Sequence, residues 1–90
     1  MEVSFKPSFI KDFEKLPRDV RAEVRSMCLE LFPKIYTLAE MHPYRVKPLH
    51  EFKQYYRIKL GNYRIGFKKE NHSVIFMRVL DRKDIYKHFP

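Results

Sequence analysis

The chain is predicted to be an α+β domain of order β-α-α-β-β-β, a compact, antiparallel-rich sheet with its N-terminal helices packed on one face. Three features predict it. Residues 1–41 carry apolar side chains at helical spacing after one short alternating stretch, and residues 55–67 alternate apolar and polar about a central Gly-Asn pair. Residues 73–80 are apolar except at Ser73 and Arg78, as in a central strand covered on both faces.

Glu2 to Lys6 alternates, with Val3 and Phe5 on one face, and forms the first strand, which Pro7 ends. Ser8 is placed to cap a helix whose apolar residues are Phe9, Ile10, Phe13 and Leu16. After Pro17 a second helix is expected from about Arg18 to Phe32. Val20, Val24, Met27, Cys28 and Leu31 form its core stripe, while Arg18, Arg21 and Arg25 face away. Pro33 is expected to break it and open a short segment, Lys34 to Met41, with Ile35, Leu38 and Ala39 turned inward. His42 to Gln54, interrupted by Pro43 and Pro48, reads as a crossing loop tacked down by Val46 and Leu49. Glu70, Asn71 and His72 supply turn chemistry before the strand Ser73 to Leu80. Asp81 to Pro90 is too short for a stable isolated helix and reads as a turn docked by Ile85 or Phe89.

The hairpin carries the most information. A two-residue turn that starts with Gly61 suits the primed geometry of tight hairpins. If Leu60 pairs with Tyr63, then Tyr56, Ile58, Leu60, Tyr63, Ile65 and Phe67 share the buried face. Tyr55, Arg57, Lys59, Arg64, Gly66 and Lys68 share the other. Lys59 then lies opposite Arg64, a destabilising like-charge pair unless solvent screens it or an anion binds it. Arg57 faces Gly66, which leaves room for a phosphate backbone to approach the sheet.

Ninety residues make a single domain spanning residues 1–90. A hydrophobic content of 44% with 16% aromatics is far from the composition of disorder. No apolar run approaches a membrane span, and the first residues pass straight into a strand, so a cytoplasmic protein without signal peptide or membrane partner is expected. Cys28 is the single cysteine, which excludes an internal disulfide. The net charge of +8 is unevenly placed: residues 1–43 hold seven Lys/Arg against seven Asp/Glu, and residues 44–90 hold twelve against four. The second half therefore points to nucleic acid or an acidic protein as its partner.

Several familiar sites are missing. The sequence has no phosphate-binding glycine loop, no H-E-x-x-H and no Cys/His metal spacing, so neither metal nor cofactor is expected. His42, His50, His72 and His88 fall in loops or at the chain end without an obvious carboxylate partner, and Cys28 on its apolar stripe reads as a buried thiol. What remains is Arg57, Lys59, Arg64, Arg78, Arg82 and Tyr86, joined on the basic half by Lys47, Lys83 and Lys87. Singly each is an ordinary solvated side chain. Together they suggest a basic floor for RNA, with Tyr86 as a platform on which a base stacks.

Lys47-Pro48-Leu49 before the hairpin, the run from Tyr56 to Arg64, and the ending Val79-Leu80-Asp81-Arg82-Lys83-Asp84-Ile85-Tyr86 resemble the RelE/ParE superfamily of toxin–antitoxin toxins over almost the whole chain. The resemblance implies a toxin of the RelE type, which cleaves messenger RNA in the ribosomal A site without metal and forms a hetero-oligomer with an acidic antitoxin. It implies that Arg57 and Lys59 are the basic residues of the second strand, Arg64 the turn arginine, Arg82 the arginine after the last strand and Tyr86 the terminal tyrosine. Arg78 matches none of the family's catalytic positions.

RNA cleavage by its own 2′-hydroxyl needs a base, positive charge around the pentacovalent phosphate, and an acid for the departing 5′-oxygen. Lys59 is the best base, since the cations Arg57 and Arg64 beside it favour a neutral amine. Arg64 and Arg82 would clamp the phosphate, and Tyr86 would orient a base. Lys47, Arg57, Arg78, Lys83 and Lys87 would bind the rest of the RNA. Two other readings stay open: a ParE-like inhibitor that binds DNA gyrase without catalysis, and a passive RNA-binding module.

Overall fold

A computed structural model describes residues 1–90, apart from the side chains of residues 42 and 43, which hold the sequence candidate His42. Strands β1 (Glu2–Phe5), β2 (Lys47–Pro48), β3 (Tyr55–Leu60), β4 (Tyr63–Glu70) and β5 (Ser73–Asp81) make one sheet of order β1-β5-β4-β3-β2. Helices α1 (Pro7–Glu14) and α2 (Arg18–Ser26) precede β2, and α3 (Ile85–His88) follows β5. The α+β class stands, with a mixed sheet: β1 runs parallel to β5, and the other pairings are antiparallel. No helix among the described residues is long and apolar enough to cross a membrane.

Local physics explains where the elements depart from expectation. Ser8 is not the cap of α1. Pro7, which has no N–H to lose, occupies the first turn behind an extended Lys6, and the Ser8 hydroxyl donates to the Met77 carbonyl at 2.8 Å. The second helix does not stop at Pro33 but changes pitch ahead of it. A wider π turn over Met27–Leu31 and a 3-10 turn over Phe32–Lys34 carry the chain past a residue that an α-helix interior rejects. In the next segment Ile35 and Met41 are buried, while Ala39 is exposed. The crossing loop contains β2, pairing Lys47 with Arg57 and Pro48 with Tyr56; proline is tolerated there because the strand is an edge. The final segment is a short helix rather than a turn, and both Ile85 and Phe89 are buried.

The core lies between the helices and one sheet face. Ile58, Leu60, Ile65, Phe67, Val74, Phe76 and Val79 meet Phe9, Leu16, Val24, Met27, Cys28 and Phe32. Phe32 stands edge-on to Phe67 at 5.4 Å and to Phe76 at 5.0 Å, the geometry that aromatic quadrupoles favour. Burial pushes the Cys28 thiol up to about 12, so at neutral pH it stays protonated and serves as a small apolar side chain.

Because β1 pairs only with residues 73–76, the remainder of β5 lacks a strand on that side. Helix α1 and its entry cover the gap. The Lys6 N–H donates to the Phe76 carbonyl at 2.9 Å, and the Asp12 carboxylate accepts from the Val79 N–H at 3.2 Å. Asp12 is buried and also accepts from Arg78 Nε at 2.7 Å and Nη2 at 2.9 Å. One carboxylate thus satisfies a backbone donor and a guanidinium together. Asp12→Ala, which strands both, should lower stability by about 3 kcal/mol, read as a lower urea midpoint at unchanged slope. Asp12→Asn, which keeps an acceptor, should lose less. Equal losses, or losses below about 1 kcal/mol, would reduce the clamp to an ordinary surface pair.

Candidate active site

The sheet face turned away from α1 and α2 carries the site. The β3–β4 register pairs Leu60 with Tyr63, Lys59 with Arg64, Ile58 with Ile65 and Arg57 with Gly66, so the expected division of faces is realised. Gly61 closes the hairpin with φ +58°, the left-handed value that the first central residue of a primed turn requires. Lys59 and Arg64 stand side by side with no carboxylate between them.

The space over Gly66 is not open to a phosphate. Phe89 fills it, packed so closely that a Cβ at Gly66 would lie 2.6 Å from the ring. The open recess lies further toward the hairpin turn. It has a volume of about 500 Å³ and is lined by Arg45, Lys47, Arg57, Lys59, Arg64, Arg82, Lys83 and Tyr86. Seven of these eight side chains are cationic and none is acidic.

Each element supplies its share. β3 brings Arg57 and Lys59, two residues apart on one face, and β2 sets Lys47 beside Arg57. Arg64 Nη1 donates to the Gly61 carbonyl at 2.8 Å and the Tyr63 carbonyl at 2.9 Å, so the turn itself holds the guanidinium. Burial lowers the Arg64 pKa, and the charges of Arg57 and Arg82 lower it further, partly opposed by Asp81. The Arg82 N–H donates to the Asn62 carbonyl at 2.8 Å, tying the end of β5 to the same turn. Asp81 shapes the following bend, its carboxylate accepting from the Lys83 N–H at 2.9 Å. From α3, Tyr86 lies under the Arg57 guanidinium, with Cζ 5.4 Å from the ring centroid, while the residue remains 62% exposed.

Six sequence candidates besides Tyr86 therefore meet in one place: Lys47, Arg57, Lys59, Arg64, Arg82 and Lys83. Two do not. Arg78 is engaged by Asp12 at the edge of β5, and Lys87 is solvent-exposed, 4.0 Å from Asp84. Arg45 was missed. It stands just ahead of β2 with φ +49°, outside any strand, so no periodicity in the sequence marks it. His50, His72 and His88 are exposed and do not line the recess. No cluster of His, Cys, Asp or Glu able to hold a metal occurs among the described residues. Chemically, the recess suits a phosphodiester: arginines to bind its oxygens in pairs, an exposed lysine to exchange a proton, and an aromatic face for a base.

The recess thus lies on the open face of a mixed sheet that two helices back on the other side. Residues 3–86 match the family model described as ParE toxin of the type II toxin–antitoxin system parDE. Over 90 residues, all of both chains, the sequence is 36% identical to Toxin RelE3 of Methanocaldococcus jannaschii. Its fold superposes on the toxin in the RelB-RelE antitoxin–toxin complex of Methanococcus jannaschii with a TM-score of 0.82 at 33% identity, covering 97% of this chain and 99% of that one. The isolated E. coli RelE toxin shares the fold at a TM-score of 0.67 and 21% identity, over 96% and 90% of the two chains. The protein belongs to the RelE/ParE superfamily. It is a type II toxin of the RelE family.

A site built of unneutralised cations should be stabilised by anions that bind the folded state. Sulfate or phosphate should raise the melting temperature more than chloride at matched ionic strength, and Arg64→Ala should lose most of that increment. An equal shift in parent and variant would show that the anions act elsewhere.

Proposed function

We propose that the protein is an endoribonuclease that cleaves messenger RNA at the ribosomal A site and so halts translation. The observation that carries this is the convergence of Lys59, Arg57, Arg64, Arg82 and Tyr86 on one recess free of carboxylates. RNA carries its own nucleophile, so a site that binds phosphate and manages protons is sufficient for strand scission.

In the reaction, Lys59 in its neutral form takes the proton of the 2′-hydroxyl as that oxygen attacks the adjacent phosphorus. The new 2′-O–P bond forms as the P–5′-O bond breaks, leaving a 2′,3′-cyclic phosphate and a 5′-hydroxyl. The departing oxygen, hydrogen-bonded by Arg82, acquires a proton from solvent, and Lys59 returns its own. Arg57 and Arg64 neutralise the non-bridging oxygens, and Tyr86 stacks on a base beside the cut. Lys47, Lys83 and Arg45 hold flanking phosphates. Cations of the protein thus supply the charge stabilisation for which other nucleases use metal ions.

In the solved RelB-RelE complexes of relatives the toxin is paired with an antitoxin. For this chain the partner is a cognate acidic antitoxin that forms a hetero-oligomer and lays carboxylates across the recess.

Induction without the antitoxin should stop amino-acid incorporation before thymidine incorporation. Selective loss of DNA synthesis with translation intact would transfer the assignment to gyrase inhibition. Lys59→Ala should abolish cleavage while keeping most ribosome affinity, with Lys6→Ala, at the far end of the chain, as the neutral control. A Lys59→Ala protein as toxic as the parent would remove Lys59 as the base. Arg82→Lys keeps the charge but loses the paired hydrogen bonds, and should cost about 2 kcal/mol of transition-state stabilisation in kcat/KM. Unchanged turnover would make Arg82 a mere surface cation.

A further inference from the structure

Gly66 is one of two glycines in the chain, and the two are there for different reasons. Gly61 adopts φ +58°, whereas Gly66 has no positive φ, so no backbone conformation calls for glycine at that position. What Gly66 provides is a missing Cβ. A carbon placed there meets three ring atoms of Phe89, each at 2.6 Å, where ordinary carbon contacts lie at about 3.5–4.0 Å.

The ring cannot simply move aside. Phe89 is buried, stands edge-on to Tyr55 at 5.9 Å, and donates its backbone N–H to the Ile85 carbonyl at 2.9 Å. Ile85 is itself buried at the start of α3, so a shift of the ring is passed to the whole four-residue helix. Tyr86 lies between these two anchors and alone among the residues of α3 lines the recess. Across the sheet Gly66 pairs with Arg57, whose guanidinium covers the Tyr86 ring.

We propose that Gly66 and Phe89 form a steric lock that sets Tyr86 against Arg57 and are positioning residues for the recess. The geometric part stands independently; its consequence for cleavage rests on the nuclease reading given above.

The test has two readouts. In isotopically labelled full-length protein, Arg57 side-chain protons should carry a ring-current shift from Tyr86, identified by its loss in Tyr86→Ala. Gly66→Ala and Phe89→Ala should both move these signals to their Tyr86→Ala positions. Gly66→Ala/Phe89→Ala should behave as Phe89→Ala, because no ring remains to clash. In ribosome-dependent cleavage each single variant should lose on the order of a hundredfold in kcat, the scale for displacing a positioned group by about an ångström, with KM little changed. Neither should lose further activity in a Tyr86→Ala background. Parent-like Arg57 signals in both single variants, or a Gly66→Ala loss undiminished without Tyr86, would overturn the proposal. If the signals move while cleavage is unchanged, the lock stands and Tyr86 drops out of the chemistry. Phe89→Ala adds no atoms, and carries the test alone if Gly66→Ala does not fold.

Discussion

The register of β3 on β4 is the constraint on which the molecule depends. Successive strand residues point to opposite faces, so a slip of β3 by one position would turn Ile58 out and Lys59 into the core. The turn at Gly61-Asn62 prevents it, and three hydrogen bonds reinforce the same pairing. Arg64 donates to the Gly61 and Tyr63 carbonyls, and the Arg82 N–H donates to the Asn62 carbonyl. An arginine that lines the recess thus helps hold the turn that places it.

Concentrating seven cations around one recess opposes folding, because like charges held close together repel. The lowered Arg64 pKa expresses that opposition, from burial first and from Arg57 and Arg82 next. The molecule offsets it on the other face. There Phe67, Phe76 and Phe32 interlock with the apolar sides of α1 and α2, and Asp12 closes the edge of β5 that β1 leaves uncovered. The charge-neutral first half of the chain and the basic second half correspond to this division: the first supplies most of the helical cover, the second the sheet that bears the recess.

Most of the fold was legible because it follows from periodicity. Alternation in residues 55–67 specifies faces, and the turn residues specify register, which together place Arg57, Lys59 and Arg64 on one side. What escaped depends on contacts between distant parts of the chain. Arg78 looked like one more cation on a basic strand, yet its partner Asp12 comes from α1, and no spacing in the sequence joins residues 66 positions apart. β2 was hidden by Pro48, which an edge strand tolerates and a central one would not. Serine commonly caps a helix, but at Ser8 the position is already inside one, because Pro7 occupies the first turn. The role of Gly66 was half legible. The pairing with Arg57 announced a vacancy above the sheet, and only the return of the chain end showed that Phe89 occupies it.

The scaffold and the recess make different demands on the chain. A mixed sheet with two covering helices accounts for the likeness to the isolated E. coli RelE toxin at 21% identity, since that likeness is one of fold alone. The recess depends on side chains the scaffold does not need. Lys59 and Arg64 stand unneutralised, and Tyr86 is exposed at the mouth although Ile85 and Phe89 on either side of it are buried. Stability alone would favour a carboxylate between the cations and a polar residue in place of the tyrosine. Departures from local stability gathered at one point, with the rest of the chain built to tolerate them, are the physical basis for proposing the activity there.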